Sequence, residues 1–192
     1  MDGNYLTTPL VFLVQVLFGA YALVLMLRFL LQLTRADFHN PVSQFLVKAT
    51  TPVLHPVRRF VPGYRGIDTA SLVVVWVVKS LELLLVILLT GIVANPLLAF
   101  LWALPEILEL FIDVFLFAIL IQVILSWVNR GGYNPAASLI DSLTAPLMRP
   151  LRRRIPPMGG LDFSPMIAII GLMVLKMLLL PPVQLLVSTP FK

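Results

Sequence analysis

Four runs of apolar residues, 10–33, 71–93, 107–128 and 165–187, are interrupted by few polar positions. Each is close to the roughly 20 residues that a helix needs to cross about 30 Å of hydrocarbon. In lipid the backbone must bond to itself, so the pattern predicts four transmembrane helices. Pro181-Pro182 lacks two amide donors and is expected to end or kink the fourth helix near Leu180. Between the runs lie one short connection, 94–106, holding Asn95-Pro96 and Pro105, and two long ones, 34–70 and 129–164. The flank Met1-Asp2-Gly3-Asn4 carries no basic segment, so a signal peptide is not expected.

Composition sharpens this picture. Of 192 residues, 59% are hydrophobic and 12% charged, with a mean hydropathy of +0.99. That balance excludes a soluble globule, a disordered tail and a DNA-binding domain. The net charge of +5 is too small to revive nucleic acid as a partner. Cysteine is absent and there are two histidines, His39 and His55, so no disulfide, metal centre, haem or other cofactor is expected.

The basic residues are placed unevenly. Arg35, Lys48, Arg58, Arg59 and Arg65 lie in the first long loop, and Arg130, Arg149, Arg152, Arg153 and Arg154 in the second. The opposite side offers Lys192, with Asp2, Glu106 and Glu109 nearby. The positive-inside rule then puts both loops in the cytoplasm and both termini outside.

The two loops are copies of each other. A shift of 94 positions lays Asn40-Pro41 on Asn134-Pro135, Thr50 on Thr144, Pro52 on Pro146, and Pro56 on Pro150. It also lays Arg58-Arg59 on Arg152-Arg153, Pro62 on Pro156, Gly66 on Gly160, and Asp68 on Asp162. The expected architecture is all-α: two tandem modules, 1–94 and 95–192, each a helix, a basic amphipathic loop and a helix, with parallel pseudo-two-fold symmetry. Asn40 and Asn134 suit helix N-caps, with Pro41 and Pro135 in the first turn. The short helix so begun should carry Val42, Phe45 and Leu46 on one face, and prolines 52, 56, 146 and 150 should break it near Thr51 and Ala145. Apolar residues beside the arginines suit a headgroup boundary, where each basic residue contributes roughly 1 kcal/mol near anionic lipid. Gly66 and Gly160 allow a turn, and Asp68 and Asp162 then favour the start of the next helix.

This paired loop pattern resembles the YggT family of small bacterial and plastid membrane proteins, over nearly the whole chain. Its Gram-negative members look like this one, with two modules, whereas YlmG-type relatives carry one. The second copy departs from the first by Arg149 in place of His55 and by the added Arg154. The resemblance implies a bacterial inner-membrane location and a role in envelope physiology, such as osmotic or ionic stress tolerance, membrane-complex assembly or division. It implies no enzymatic activity.

Charges inside the spans need an account, because each costs roughly 2.5–3.5 kcal/mol at a helix centre. Arg28 is expected to snorkel inward, and Asp113, toward the outer end of the third helix, to reach outer water. Lys79 stands three residues before Glu82, and the 94-residue shift lays Glu82 on Lys176. These charges suit either an interhelical ion pair that fixes module packing or a polar path for ions or protons. Trp102 and Trp127 are placed as interface anchors. No glycine loop, zinc motif or nucleophile elbow is present, so no catalytic or metal residue is assigned. The first function expected is a non-enzymatic protein working through its basic loops on anionic headgroups or a membrane-protein partner, self-association included. The alternative is a small ion or proton channel, which four spans would need an oligomer to build.

Overall fold

A computed structural model describes residues 4–64, 66–93, 95–128, 134–155 and 162–187. Among these residues there are six helices: α1 (Asn4–Leu33), α2 (Pro41–Val57), α3 (Thr69–Thr90), α4 (Leu98–Val128), α5 (Pro135–Arg154) and α6 (Ser164–Val187). Helices α1, α3, α4 and α6 are long and apolar enough to cross a membrane. Among the described residues the only extended pairing is a bridge between Tyr64 and Ile67.

Several helix ends differ from expectation, and hydrogen bonding explains the start of α4. α4 starts at Leu98 rather than 107 and takes in Pro105. Asn95 and Pro96 start that helix instead of marking a loop: Asn95 Oδ1 accepts from the Leu97 amide at 3.0 Å, and the Leu98 amide donates to the Asn95 carbonyl at 2.9 Å. α1 starts at Asn4 rather than 10, which places Pro9 within it. α2 and α5 do not break near Thr51 and Ala145 but run through Pro52, Pro56, Pro146 and Pro150. The turn before Pro52 finds other donors. Thr50 and Thr51 hydroxyls donate to the Leu46 and Val47 carbonyls at 2.6 Å, and Arg28 Nη1 donates to the Val47 carbonyl at 3.1 Å. Thr144 does the same for Ile140 at 2.8 Å. The carbonyls that Pro52 and Pro146 deprive of a helical donor are those of Lys48 and Ser142, so these bonds do not replace the lost ones but brace the turn just before each proline. α6 likewise continues through Pro181-Pro182 to Val187, whose carbonyl accepts from Trp102 Nε1 at 2.9 Å.

α1 packs on α3, α3 on α4 and α4 on α6, while α1 and α6 make no packing contact. The spans therefore form an open but bent row, in which α1 also touches α4. α2 lies under α1 and α3, α5 lies under α4 and α6, and α2 and α5 meet at one end. Asn40 Nδ2 donates to the Pro135 carbonyl there at 2.7 Å, joining the two copies. The core draws on all six helices through Leu25, Met26, Leu54, Val75, Ile112, Ile119, Met148 and Ala168. Small residues sit at the contacts: Ala22, Ala70, Ser71, Ser80, Ala99, Ala103 and Ser164 are all buried. Lipid tails are as apolar as leucine, so close backbone approach and dispersion, rather than escape from water, hold such helices together.

α2 presents three faces. Ser43, Leu46, Thr50 and Leu54 point inward. Val42, Phe45 and Val53 are exposed, so the expected shared face of Val42, Phe45 and Leu46 is split, with Leu46 alone buried. Gln44, Lys48, Thr51 and His55 form an exposed polar stripe on the remaining side. A helix with bundle, apolar and polar faces suits a position at a membrane boundary.

Candidate functional site

The repeated loop residues build two latches. Asn40 caps α2 through the Val42 amide at 2.9 Å, and Asn134 caps α5 through the Ala136 amide at 3.0 Å, with Pro41 and Pro135 opening the helices. At the other end of α2, Arg58 Nη2 pairs with Asp68 Oδ2 at 2.5 Å. Asp68 also caps α3, accepting from the Ser71 hydroxyl at 2.7 Å. Gly66 takes φ +85°, a left-handed turn that suits glycine, and the chain doubles back between Tyr64 and Ile67. The second copy repeats the latch: Arg152 Nε meets Asp162 Oδ2 at 2.9 Å, and Asp162 accepts from the Ser164 amide at 2.9 Å. Gly160 and Pro156 lie outside the described residues. Burial opposes ionisation of both aspartates, but hydrogen bonds outweigh it: from Arg58 and Ser71 to Asp68, and from Ser164 and Arg152 to Asp162. Both carboxyls are thereby held below the usual aspartate range. The first arginine of each pair is thus bound to the protein, while Arg59, Arg153 and Arg154 remain exposed.

Arg28 does not snorkel to a surface. It is buried, and its Nη1 donates to the Thr50 hydroxyl, to Thr51 Oγ1 at 3.2 Å and to the Val47 carbonyl. The repeat-equivalent residue is Gln122, which the sequence reading passed over. Gln122 Oε1 accepts from the Thr144 hydroxyl at 3.1 Å, and its Nε2 donates to Asp141 Oδ1 at 2.6 Å. Each connecting helix, α2 and α5, is therefore tied to the first span of its module by a polar side chain reaching a buried threonine. The 94-residue shift applied to Arg28 would have pointed to Gln122, but a neutral amide in a span does not stand out as a charge does.

A second polar layer lies along α4. Lys79 Nζ pairs with Glu82 at 2.8 Å and with Glu106 at 3.4 Å. Lys176 Nζ pairs with Asp113 at 2.6 Å and with Glu109 at 2.9 Å. The interhelical pair between Glu82 and Lys176 does not form, because α4 stands between α3 and α6. Instead α4 supplies carboxylates to a lysine on each side. Trp102 is buried rather than an interface anchor, whereas Trp127 is exposed. Asp113 to Gln122 spans about 14 Å of helix at 1.5 Å per residue. That interval on α4 is filled by buried Val114, Phe115, Ala118 and Ile119, packed in one core with Leu25, Met26, Val75 and Val78. The two polar layers are separated by an apolar one. Among the described residues no cluster of His, Cys, Asp or Glu is arranged to hold a metal.

Fold and site together define a class: a multi-pass membrane protein of two tandem modules, each with a connecting helix latched between two spans. The CCB3/YggT family model matches residues 7–89 and again 101–183. The chain belongs to the CCB3/YggT family. It is 42% identical to uncharacterized protein PA0392 of Pseudomonas aeruginosa, over 91% of this chain and 90% of that protein. It is 37% identical to uncharacterized protein YggT of Escherichia coli K12, over 88% and 87% of the two chains. Uncharacterized protein ycf19 of Porphyra purpurea matches at 35% identity over 35% of this chain and 73% of its own length, a share near one module. No solved structure matches the chain.

Proposed function

We propose that this protein is a non-enzymatic scaffold of the bacterial inner membrane, supporting envelope physiology such as osmotic or ionic stress tolerance or the assembly of membrane complexes. Its long connections face the cytoplasm and both termini face the periplasm. The working surface is the pair of in-plane helices with the exposed Arg59, Arg153 and Arg154. One observation carries this reading: the latches engage Arg58 and Arg152 and leave those three guanidiniums exposed at helix ends, in a chain whose α2 also exposes the apolar Phe45 and Val53, with Phe60 just beyond it. Apolar side chains dip while guanidiniums hold phosphates, and three of them supply about 3 kcal/mol toward an anionic surface or an acidic partner.

Replacing Arg59, Arg153 and Arg154 together by Gln tests it. Reduced enrichment of anionic lipid around the purified protein, or loss of cross-linked partners in native membranes, is expected. Unchanged lipid enrichment, partner recovery and stress tolerance would remove the proposal. The channel reading has the carboxylate stripe of α4 in its favour, but every α4 residue between Asp113 and Gln122 is apolar, and the cavity of about 520 Å³ beside them, lined by Val114, Phe117, Ala118 and Ile121, offers ions no polar relay past Asp113. Ion or proton flux in liposomes, abolished by Asp113→Asn, would reinstate it.

A further inference from the structure

The two modules differ most where the first span, the in-plane helix and the start of the second span meet. In the first module this junction is filled: Arg28, Phe29, Leu31, Ser43, Leu46 and Asp68 are all buried. In the second, smaller side chains stand at equivalent positions, with Gln122 for Arg28, Val123 for Phe29, Ser126 for Gln32 and Ala137 for Ser43. Asp141 replaces Val47. The result is two adjoining cavities of about 600 and 620 Å³ that share Gln122, Ala137, Asp141 and Arg152 in their walls. Each is within the usual size range for small-ligand sites.

The unspent hydrogen-bonding capacity in these walls has two signs. Arg152 uses Nε on Asp162, and its terminal nitrogens make no hydrogen bond among the described residues. Arg149 is exposed on the second cavity. Asp141 is exposed and, among the described residues, accepts through one side-chain oxygen, from Gln122, leaving the other to a further donor. Asp141 and Asp162 balance Arg149 and Arg152, so the crevice is formally neutral. It opens beside exposed Trp127 at the end of α4, the depth at which amphipathic rings settle at headgroups.

We propose that the second module binds a zwitterion carrying a phosphate and a primary ammonium, the phosphate on Arg152 and Arg149 and the ammonium on Asp141. The two sources of that chemistry are a phosphatidylethanolamine headgroup in the surrounding leaflet and a free phosphoethanolamine-type solute. Choline-bearing lipid lacks the N–H donors that a carboxylate accepts, and phosphatidylglycerol lacks the cation, so both are discriminated against. The first module, with its junction filled, does not share the site. The site uses none of the exposed arginines of the scaffold surface, so the two proposals stand separately.

The test reconstitutes the full chain in nanodiscs of equal parts phosphatidylethanolamine, phosphatidylglycerol and phosphatidylcholine, and counts lipids retained on release by native mass spectrometry. Enrichment of phosphatidylethanolamine over phosphatidylcholine by about tenfold is expected, the change that goes with one hydrogen bond to a charged group. The double variant Q122R/D141V recreates in the second module the residues of the first and should keep its unfolding transition but lose the enrichment. Asp141→Asn, which preserves size, should do the same and serves if the double variant does not fold. In a second arm, glycerophosphoethanolamine is added to phosphatidylcholine nanodiscs and its binding followed by Trp127 fluorescence. Binding there identifies a soluble zwitterion as sufficient, while enrichment of the lipid alone identifies the leaflet as the source. Equal retention of all three lipids together with no binding of the solute overturns the proposal. So does enrichment that survives in Asp141→Asn.

Discussion

The two latches use the same residue types in different burial, so equal substitutions should have unequal effects. Asp68 has 4% side-chain exposure and Asp162 38%. Asp68→Asn keeps an oxygen to cap the Ser71 amide but offers an NH2 to both Arg58 and the Ser71 hydroxyl, which donate to Oδ2 in the native protein. A hydrogen bond to a charged group contributes about 1.5–3 kcal/mol. Arg58 is itself 42% exposed and returns partly to water, so one such bond is the right allowance, about 2–3 kcal/mol. Asp162→Asn breaks a pair that is open to solvent on both sides, where about 0.2–1 kcal/mol is typical. The difference should be near 2 kcal/mol, measured by denaturing each variant with SDS in mixed micelles and following tryptophan fluorescence. Both carboxyls have folded-state values below the ordinary 3.8. Their contribution is therefore present above that pH and lost as pH falls through the lower folded value. The gap between wild type and Asp68→Asn should shrink on the same acid side. If Asp162→Asn is as damaging as Asp68→Asn, or the Asp68→Asn penalty persists in strong acid, the assignment of the latch is wrong.

Other consequences follow from the same geometry. Thr50→Val leaves the buried Arg28 short of an acceptor and should lower stability by about 1–3 kcal/mol, with Thr144→Val less costly because Gln122 is neutral; denaturant midpoints compare the two. Lys176→Met strands Glu109 and Asp113, so it should destabilise more than the triple change Lys176→Met, Glu109→Gln, Asp113→Asn, as read by thermal aggregation in detergent. Gly91→Ala forces a side chain onto a helix C-cap at φ +67° and should cost about 1 kcal/mol in the same SDS titration. Trp102→Phe removes the Nε1 bond to the Val187 carbonyl, and faster amide exchange at the end of α6 should report it.

The spans are legible because roughly twenty apolar residues in a row have few other uses. The modules are legible because four prolines, two arginines and an aspartate recur in register. What fails is the fate of the prolines. Pro52 reads as a helix breaker, yet α2 runs through it, its preceding turn braced by Thr50, Thr51 and by Arg28 from a different helix. The Lys79–Glu82 pair is readable from its three-residue spacing. The partners of Lys176 are not, because equivalence under the repeat places Glu82 and Lys176 on helices that α4 keeps apart. Gln122 and Asp141 escape notice for a different reason: neither lies within the repeated identities, and their importance comes from how the copies differ.

That difference has a physical logic. A charge in an apolar surround is tolerated when its partner is present, so duplicated modules change charges in sets. Glu82 in one copy is matched by Lys176 in the other, and the carboxylates that serve Lys176, Glu109 and Asp113, stand where the first copy has Gln15 and Gly19. Arg28, satisfied by Thr50 and two neighbours on α2, gives way to Gln122 together with Asp141. In each case the polar layer keeps its height while its sign and size change. Seen this way, α4 is the helix on which the chain depends: its outer carboxylates engage both second spans, its inner amide engages α5, and the buried residues between carry no polar group. Such a helix would fix the distance between modules and hold the two in-plane helices at one level, which a scaffold requires. A conduit would need the interval from Val114 to Ile119 to be wet, and water or a hydrophilic thiol reagent reaching a cysteine placed at Ala118 would show that this account of α4 is mistaken.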